Sequence, residues 1–500
     1  MKNYTRLLIK YTLSIAACFS VWSCTELDEN PKGRLNDPEV AFQDISNLNA
    51  VSIAMYAAIR GDGSWAEGFA TTQYMTTMFG ADDITTIAGG NKEPFREFDE
   101  FSKSPSNIWM SNLYKGCYRA ILNANAVIEY SKYTQDEQSA IDNLVGQAHF
   151  IRALSYFYLV RSWGEIPMYT TPDAPIDLGL SEVSVVYEQI IADLKEAEAL
   201  LPDTQSEVGR PKKGAAMALL AKVYLTKAGW PLKDESAYAL AASKAGEVIT
   251  QKGRWGFDLL PSFDMIWKRA NDNSSESVFS IQYDRNTGDG AHANHLIGTA
   301  SMPKEENGWE DFFCELTFYN EFPAGPRKDA TFYTVFYTSD GGVVNFEDSD
   351  ARHPYYAKFR DGAVDEAQPW VNNFHTAAAY ALIRYADVLL IFAEATAQAT
   401  GVDTQAYDAI NEVRNRAGLP DLTVGLSKAD FVNAVIEERG WELAGEGQRW
   451  YDLLRTEKVQ EVIDKRHPDE PVKITGAITP DNFYAPIPEA EVLKNPNLAK

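Results

Sequence analysis

Cysteine is scarce in this chain: four in 500 residues, at positions 18, 24, 117 and 314. That excludes a disulfide-stapled scaffold. An exported protein could pair Cys117 with Cys314. Cys117, however, falls within a predicted helix, SNLYKGCYRAILNANAVI, where a small buried thiol is common. Positive charge is also short, with 46 Lys and Arg against 71 Asp and Glu and a net charge of -25. No run of Lys or Arg offsets it, so nucleic acid and other polyanions are excluded as partners. Long apolar runs are missing after the first two dozen residues, which excludes a membrane-spanning helix there. No Gly/Ser-rich or Pro-rich linker divides the chain, so a single large domain with loop insertions is expected.

Catalytic signatures are equally sparse. The six histidines contain no HExxH zinc motif. His292 and His295 stand three apart in GDGAHANH, a weak pattern for a metal site on a loop. No GxSxG nucleophile motif and no phosphate-cradling glycine loop occurs. A glycosidase would need two carboxylates at a defined separation, but 71 acids make candidate pairs ubiquitous and uninformative. The expectation is no catalytic residue, no metal and no cofactor. GEGQRW invites Glu446 as an acid catalyst. A structural reading suits it better: Glu442, Glu446 and Arg449 flank a helix–helix junction and can pair with Arg439 or Arg455.

What is present begins at the N-terminus. Lys2, Arg6 and Lys10 precede the short apolar stretch LSIAACFSV, the layout of a secretion signal. Ser23-Cys24 follows, then the polar run Thr25–Asn30. This resembles a bacterial lipoprotein signal with Cys24 as the acylated residue. The large Trp22 fits poorly before the cleaved bond, and Cys18 is the rival site. Acyl chains on Cys24 would anchor the protein. The expected organisation is a signal peptide at 1–23, a lipid-anchored tether at 24–40 and one domain over 41–500.

Within that domain the helical period dominates. Ala386, Leu389, Leu390, Ala393 and Ala397 form one apolar stripe; Ala406, Ala409, Ile410, Val413 and Ala417 form a second. Gly401 and either Asp403 or Thr404 supply the C-cap and N-cap between them. The pair spans 34 residues, the tetratricopeptide period. Similar stripes occur over 213–228 with 235–251, and over 136–163 with 182–201. Further helices are predicted over 44–60, 107–131, 427–444 and 447–465. Residues 81–105 are loop-like. From about 254 to 380 the texture turns irregular, with Gly, Asn, Asp and aromatic residues, and SVFSIQY and FYTVFY read as strands. The fold class is therefore mainly α: a tetratricopeptide-like helical-repeat scaffold over about 41–251 and 381–500, with a loop-rich, irregular lobe and a few short strands.

Long loops on a rigid scaffold carry function. An exposed aromatic ring stacks on the C–H face of a sugar, while amide, carboxylate and guanidinium groups bind its hydroxyls. Trp109, Trp163, Trp441 and Trp450 sit in helical segments and read as core; Trp230, Trp255 and Trp267 read as packing caps. Trp65, Trp309 and Trp370 lie in irregular polar context and are the candidates, with MPKEENGWEDFF around Trp309 the best of them.

Taken together, the lipoprotein signal, HFIRALSYFYLVRSWGEIP, VYEQIIADLKEAEALLP, GAAMALLAKVYLTKAG, LIRYADVLLIFAEA, INEVRNRAGLP, ERGWELAGEGQRWYDLLR and YAPIPEAEVLKNPNL resemble the SusD/RagB outer-membrane nutrient-binding lipoproteins. The resemblance covers nearly the whole chain and is weakest between about 285 and 375. It implies tetratricopeptide-like helical pairs beneath a loop-rich lobe. It implies lipid anchoring on the outer face of the outer membrane. It implies capture of a glycan, delivered to a SusC-like TonB-dependent transporter for which the protein is the lid. A peptide- or glycoprotein-capturing member is the alternative, and a surface glycosidase a remote second. Relatives also draw ligand contacts from the loop before the Trp109 helix. Here that loop holds Asp82, Asp83, Asn91, Lys92, Phe95 and Arg96. Phe95 could stack, Arg96 or Asn91 could bind hydroxyls, and Lys92 with Arg96 could meet an acidic ligand.

Overall fold

The computed structural model describes residues 38–61, 68, 76–283, 300–360 and 378–499. The signal peptide, Cys24 and nearly all of the tether lie outside that set, as do Trp65 and Trp370.

The scaffold opens with α1 (Ile45–Arg60), whose first turn is capped by Asp44 accepting from Ser46 N at 2.8 Å. A short α2 (Glu93–Asp99) precedes α3 (Ile108–Tyr130) and α4 (Gln138–Trp163). Next come α5 (Val183–Leu200), α6 (Lys213–Ala228) and α7 (Ala237–Thr250). The stripe residues of each pair face one another, most of them buried and Val183, Tyr238, Ala242 and Ile249 partly so: α4 packs on α5, and α6 on α7. Each fully buried Leu or Ile contributes about 1.5–3 kcal/mol, and tertiary packing of this kind carries the helices.

After the irregular lobe the scaffold resumes with α10 (Tyr385–Thr400), α11 (Thr404–Arg416) and α12 (Lys428–Glu442). Gly401 ends α10 with φ +99°, a conformation that favours glycine, and Asp403 caps α11 through Ala406 N at 2.8 Å. Every residue of both predicted stripes here is buried. The single helix expected over 447–465 is two, α13 (Arg449–Arg455) and α14 (Val459–Asp464). Glu457 adopts φ +57°, and Lys458 N and Glu457 N bond back to the carbonyls of Leu453 and Leu454. This is a Schellman stop built without glycine.

Among the described residues the lobe contains α8 (Leu316–Glu321), α9 (Pro326–Thr331) and six short strands. These are β1 (Ser277–Ile281), β2 (Phe332–Tyr333), β3 (Val335–Tyr337), β4 (Val343–Asn345), β5 (Tyr355–Tyr356) and β6 (Tyr380–Arg384). They pair antiparallel as β1–β6, β2–β5 and β3–β4. The first pair returns the chain to α10, since β6 runs directly into that helix. A second aromatic core of Phe313, Phe336, Phe346 and Tyr355 lies under the lobe.

Buried charges join lobe to scaffold. Arg384 binds Glu276, Glu442 and Glu446; Arg416 binds Glu276 and Glu442; Arg327 binds Glu438 and Glu442; Lys358 binds Glu446. The structural reading of GEGQRW holds, but the partners differ from those expected. Arg439 pairs with Asp387 and Asp452, Arg455 with Glu394 and Asp452, and Arg449 with Asp82. The expected partners all lie between residues 439 and 455, whereas the network is assembled from β6, α9, α11 and α12 and from Glu276, just before β1. Cys117 and Cys314 are both free and buried.

Candidate functional site

Trp309 lies on a loop whose path is set by backbone geometry. Asn307 and Glu310 have φ of +61° and +54°. Between them, a Cβ on Gly308 would stand 2.2 Å from the Met302 carbonyl oxygen, so the chain can pass there only as glycine. Glu310 N donates to Met302 O at 3.2 Å and Gly308 N to Pro303 O at 2.9 Å. The indole packs partly against the main core and is partly exposed.

Carboxylates clamp this loop to its neighbours. Buried Glu306 accepts from Tyr333 OH at 2.6 Å, Tyr337 N at 2.8 Å and Arg360 Nη2 at 2.6 Å. Glu310 accepts from Tyr355 OH at 2.9 Å, and Glu305 from Asp350 N at 2.8 Å. The β3–β4 hairpin is thereby fixed beside Trp309. Tyr337 on that hairpin is 41% exposed, and the Arg360 guanidinium lies over the Tyr333 ring at 3.5 Å. Held at this many points, the loop is pre-organised, and a ligand would meet little ordering cost there.

The second predicted loop is brought alongside the first. Thr85 and Phe313 exchange backbone hydrogen bonds of 2.9 and 3.0 Å, and the buried Lys92 ammonium pairs with Asp311, two residues beyond Trp309. The exposed turn Ala88–Asn91, whose one polar side chain is Asn91, is thus tied to the Trp309 loop, and the lip between the two is the candidate site. Asn91 is exposed as expected. Arg96 is half-buried and donates to Gly89 O at 2.7 Å, so it shapes the turn.

Two candidates are corrected. Phe95 is 2% exposed and stacks on Phe79 at 5.1 Å and Trp109 at 6.3 Å. It belongs to α2, a helix in a stretch expected to be loop, whose i, i+3 pair Phe95 and Phe98 faces the core. Asp83 is also 2% exposed; its Oδ2 accepts from Gly445 N at 2.9 Å and its carbonyl from Tyr356 OH. Burial pushes its carboxyl up to about 7. Lys92 is spent on Asp311 and Asp82 on Arg449 (Nε–Oδ1 2.7 Å), so neither is a free charge for a ligand. Trp65, Trp370, His292, His295 and His375 lie outside the described residues.

Sequence reasoning missed Tyr337, Glu306 and Arg360. For Tyr337 the signal was there: alternation along FYTVFY puts Phe336 inside and Tyr337 outside. Glu306 and Arg360 act over separations of up to 54 residues and leave no local trace. Among the described residues no cluster of three His, Cys, Asp or Glu side chains could hold a metal ion, and no helix is long and apolar enough to cross a membrane.

The profile described as "SusD family" matches residues 324–500, and one described as "Starch-binding associating with outer membrane" matches 27–225. SusD-like protein P2 of Formosa agariphila is 28% identical over 98% of both chains. A SusD-like protein of Bacteroides ovatus is 25% identical over 91% of this chain and 82% of its own. Among solved structures, a SusD superfamily protein of Parabacteroides distasonis superposes with a TM-score of 0.78 at 24% identity, covering 91% of this chain and 98% of its own. A laminarin-binding SusD-like protein gives 0.75 at 25% identity with the same coverage. Two profiles at either end, full-length relatives and a shared fold agree: the chain belongs to the SusD/RagB family.

Proposed function

We propose that this protein captures a glycan at the lip between Ala88–Asn91 and the Trp309 loop. We further propose that it hands the glycan to a SusC-like TonB-dependent transporter in the outer membrane, for which it is the lid. The observation that carries the reading is the partly exposed Trp309 on a loop clamped by Glu306, Glu310 and the Lys92–Asp311 pair. A fixed aromatic face with polar edges suits a sugar ring: the ring stacks, and Asn91 and Asn307 reach its hydroxyls. The starch-binding description of one matching profile and the laminarin-binding relative support a glycan as ligand. Anchoring is assigned to acylated Cys24, facing the cell exterior. Capture is binding without cleavage.

Native affinity electrophoresis of the soluble 25–500 chain through gels containing starch, laminarin or xyloglucan tests this, with reducing-sugar release assayed in parallel. Retardation by one glycan, abolished in Trp309→Ala and without sugar release, is the expected result. Release of reducing sugar would make the protein a glycosidase. Retardation unchanged in Trp309→Ala would remove the lip as the site.

A further inference from the structure

We infer that the helical scaffold carries a second binding groove, for a neutral oligosaccharide, along α12. Two adjoining cavities of about 910 and 160 Å³ share Asn433, Ile436 and Lys458, so they form one continuous trough. Tyr238 lines the larger cavity and Trp441 the smaller, both half-buried. From Ala429 to Trp441 the trough follows twelve residues of helix, about 18 Å at 1.5 Å per residue. That is room for several sugar rings in a row.

The polar groups fall into two sets. The first is spent. Arg455 pairs with Glu394, Lys233 with Glu457 at 2.8 Å, and Lys458 and Lys465 with Glu461 at 3.0 Å. Arg449 is held by Asp82 at 2.7 Å. The second set is exposed: the side chains of Asn433, Glu437, Glu321 and Glu235 make no hydrogen bond or ion pair among the described residues, Glu321 and Glu437 lie within the electrostatic reach of Lys465, and Lys428 donates to the Gln398 carbonyl at 2.7 Å. Asn433, Glu437 and Trp441 stand at i, i+4 and i+8, so an amide, a carboxylate and an indole line one helix face at one-turn intervals.

That sequence of groups selects a ligand class. Aromatic rings take the C–H faces of sugars, and carboxylates and an amide accept from hydroxyls. Glu235, Glu321 and Glu437 outnumber the Lys428 ammonium, so the trough disfavours uronic acids and sulfated sugars, since bringing like charges together is unfavourable. The ligand class rests on the proposed glycan-binding function, but the groove and the lip share neither Trp309 nor Asn91, so the two can fail separately.

The test is calorimetric titration of the 25–500 chain with malto-, laminari- and xylogluco-oligosaccharides. Asn433→Ala/Glu437→Ala serves as the groove variant and Trp309→Ala as the lip variant. Both groove substitutions put alanine, the best helix former, at exposed positions of α12, so folding is preserved, as circular dichroism checks. The expected result is two sites per chain. Either variant should lose one site, with at least a tenfold fall in its affinity. One site, lost in Trp309→Ala and intact in the groove variant, overturns the groove and leaves the lip standing. One site with the opposite sensitivity supports the groove and overturns the lip. No binding of any of the three sugars overturns both. Binding of Lys/Arg-rich peptides that the groove variant abolishes, with no sugar bound there, makes it a peptide groove and overturns the inference.

Discussion

Arg384 is where the lobe is fastened to the scaffold, and removing it gives a measurable number. Its side chain is 2% exposed and all five of its N–H donors are used. Nε donates to Glu446 Oε2 at 2.8 Å. Nη1 donates to Glu276 Oε1 at 2.8 Å and Glu442 Oε1 at 2.9 Å. Nη2 donates to the Glu442 carbonyl and Glu446 Oε1, both at 2.9 Å. Breaking one buried ion pair costs about 3–5 kcal/mol, because the surviving charge is left uncompensated. Arg384→Met strips three carboxylates at once, yet each keeps another cation: Arg416 for Glu276, Arg416 and Arg327 for Glu442, Lys358 for Glu446. The loss should therefore stay near the single-pair figure of about 3–5 kcal/mol instead of multiplying. Against a total stability of about 5–15 kcal/mol that is a large share. Urea unfolding of the soluble chain should show a lower midpoint at unchanged slope. Arg384→Lys keeps the charge but cannot fork between three carboxylates, so it should fall between wild type and Met. A loss below about 1 kcal/mol in Arg384→Met, the scale of a surface ion pair, would refute the reasoning.

Asp83→Asn tests a buried acid. The native carboxyl, raised to about 7 from 3.8, holds its proton where the unfolded chain has released it. The native state thus binds more protons between those values, and stability falls as pH rises through that window. At about 1.4 kcal/mol per unit the wild type should lose about 4 kcal/mol by pH 8 relative to the variant, which still accepts from Gly445 N; equal pH profiles of Tm would contradict this. Phe95→Ala should cost about 3–5 kcal/mol as a core truncation, whereas Trp309→Ala, only partly buried, should cost less in urea yet lose glycan retardation. The reverse ranking in urea would restore Phe95 as the exposed ring. Cys24→Ala should yield a folded, unlipidated protein that leaves the membrane fraction of cells lacking the transporter. Retention there would disprove the lipoprotein assignment.

The scaffold was legible because its determinants are local. The stripe from Ala386 to Ala397 repeats at the helical period, and Gly401 and Asp403 mark its end and the next beginning; all appear where the sequence puts them. Boundaries failed where a local rule was broken. Glu457 takes a left-handed conformation that a non-glycine residue does not advertise, so one expected helix is two. EPFREFD was hidden by the polar residues around it, although Phe95 and Phe98 are spaced for a helix.

The site was half legible for a related reason. A loop rich in Asp, Asn and Lys reads as solvated, and that reading fails when each charge finds a distant partner. Lys92 meets Asp311, Asp82 meets Arg449, and Asp99 meets Arg466 at 2.7 Å, across more than 200 residues each. Burying such charges is tolerable only because each meets one of opposite sign, and that pairing is a property of the fold that no window of sequence displays. The same pairing is what keeps Trp309 only partly buried. With Glu306, Glu310 and Asp311 all anchored to neighbouring segments, the intervening loop cannot collapse to bury the rest of the indole, and Gly308 already occupies the one close approach to Met302. An exposed tryptophan on a mobile loop would relax inward under the hydrophobic effect. Here the buried charges on either side fix the loop, so the ion pairs that sequence could not reveal are what position the residue that sequence singled out, on which the proposed function rests.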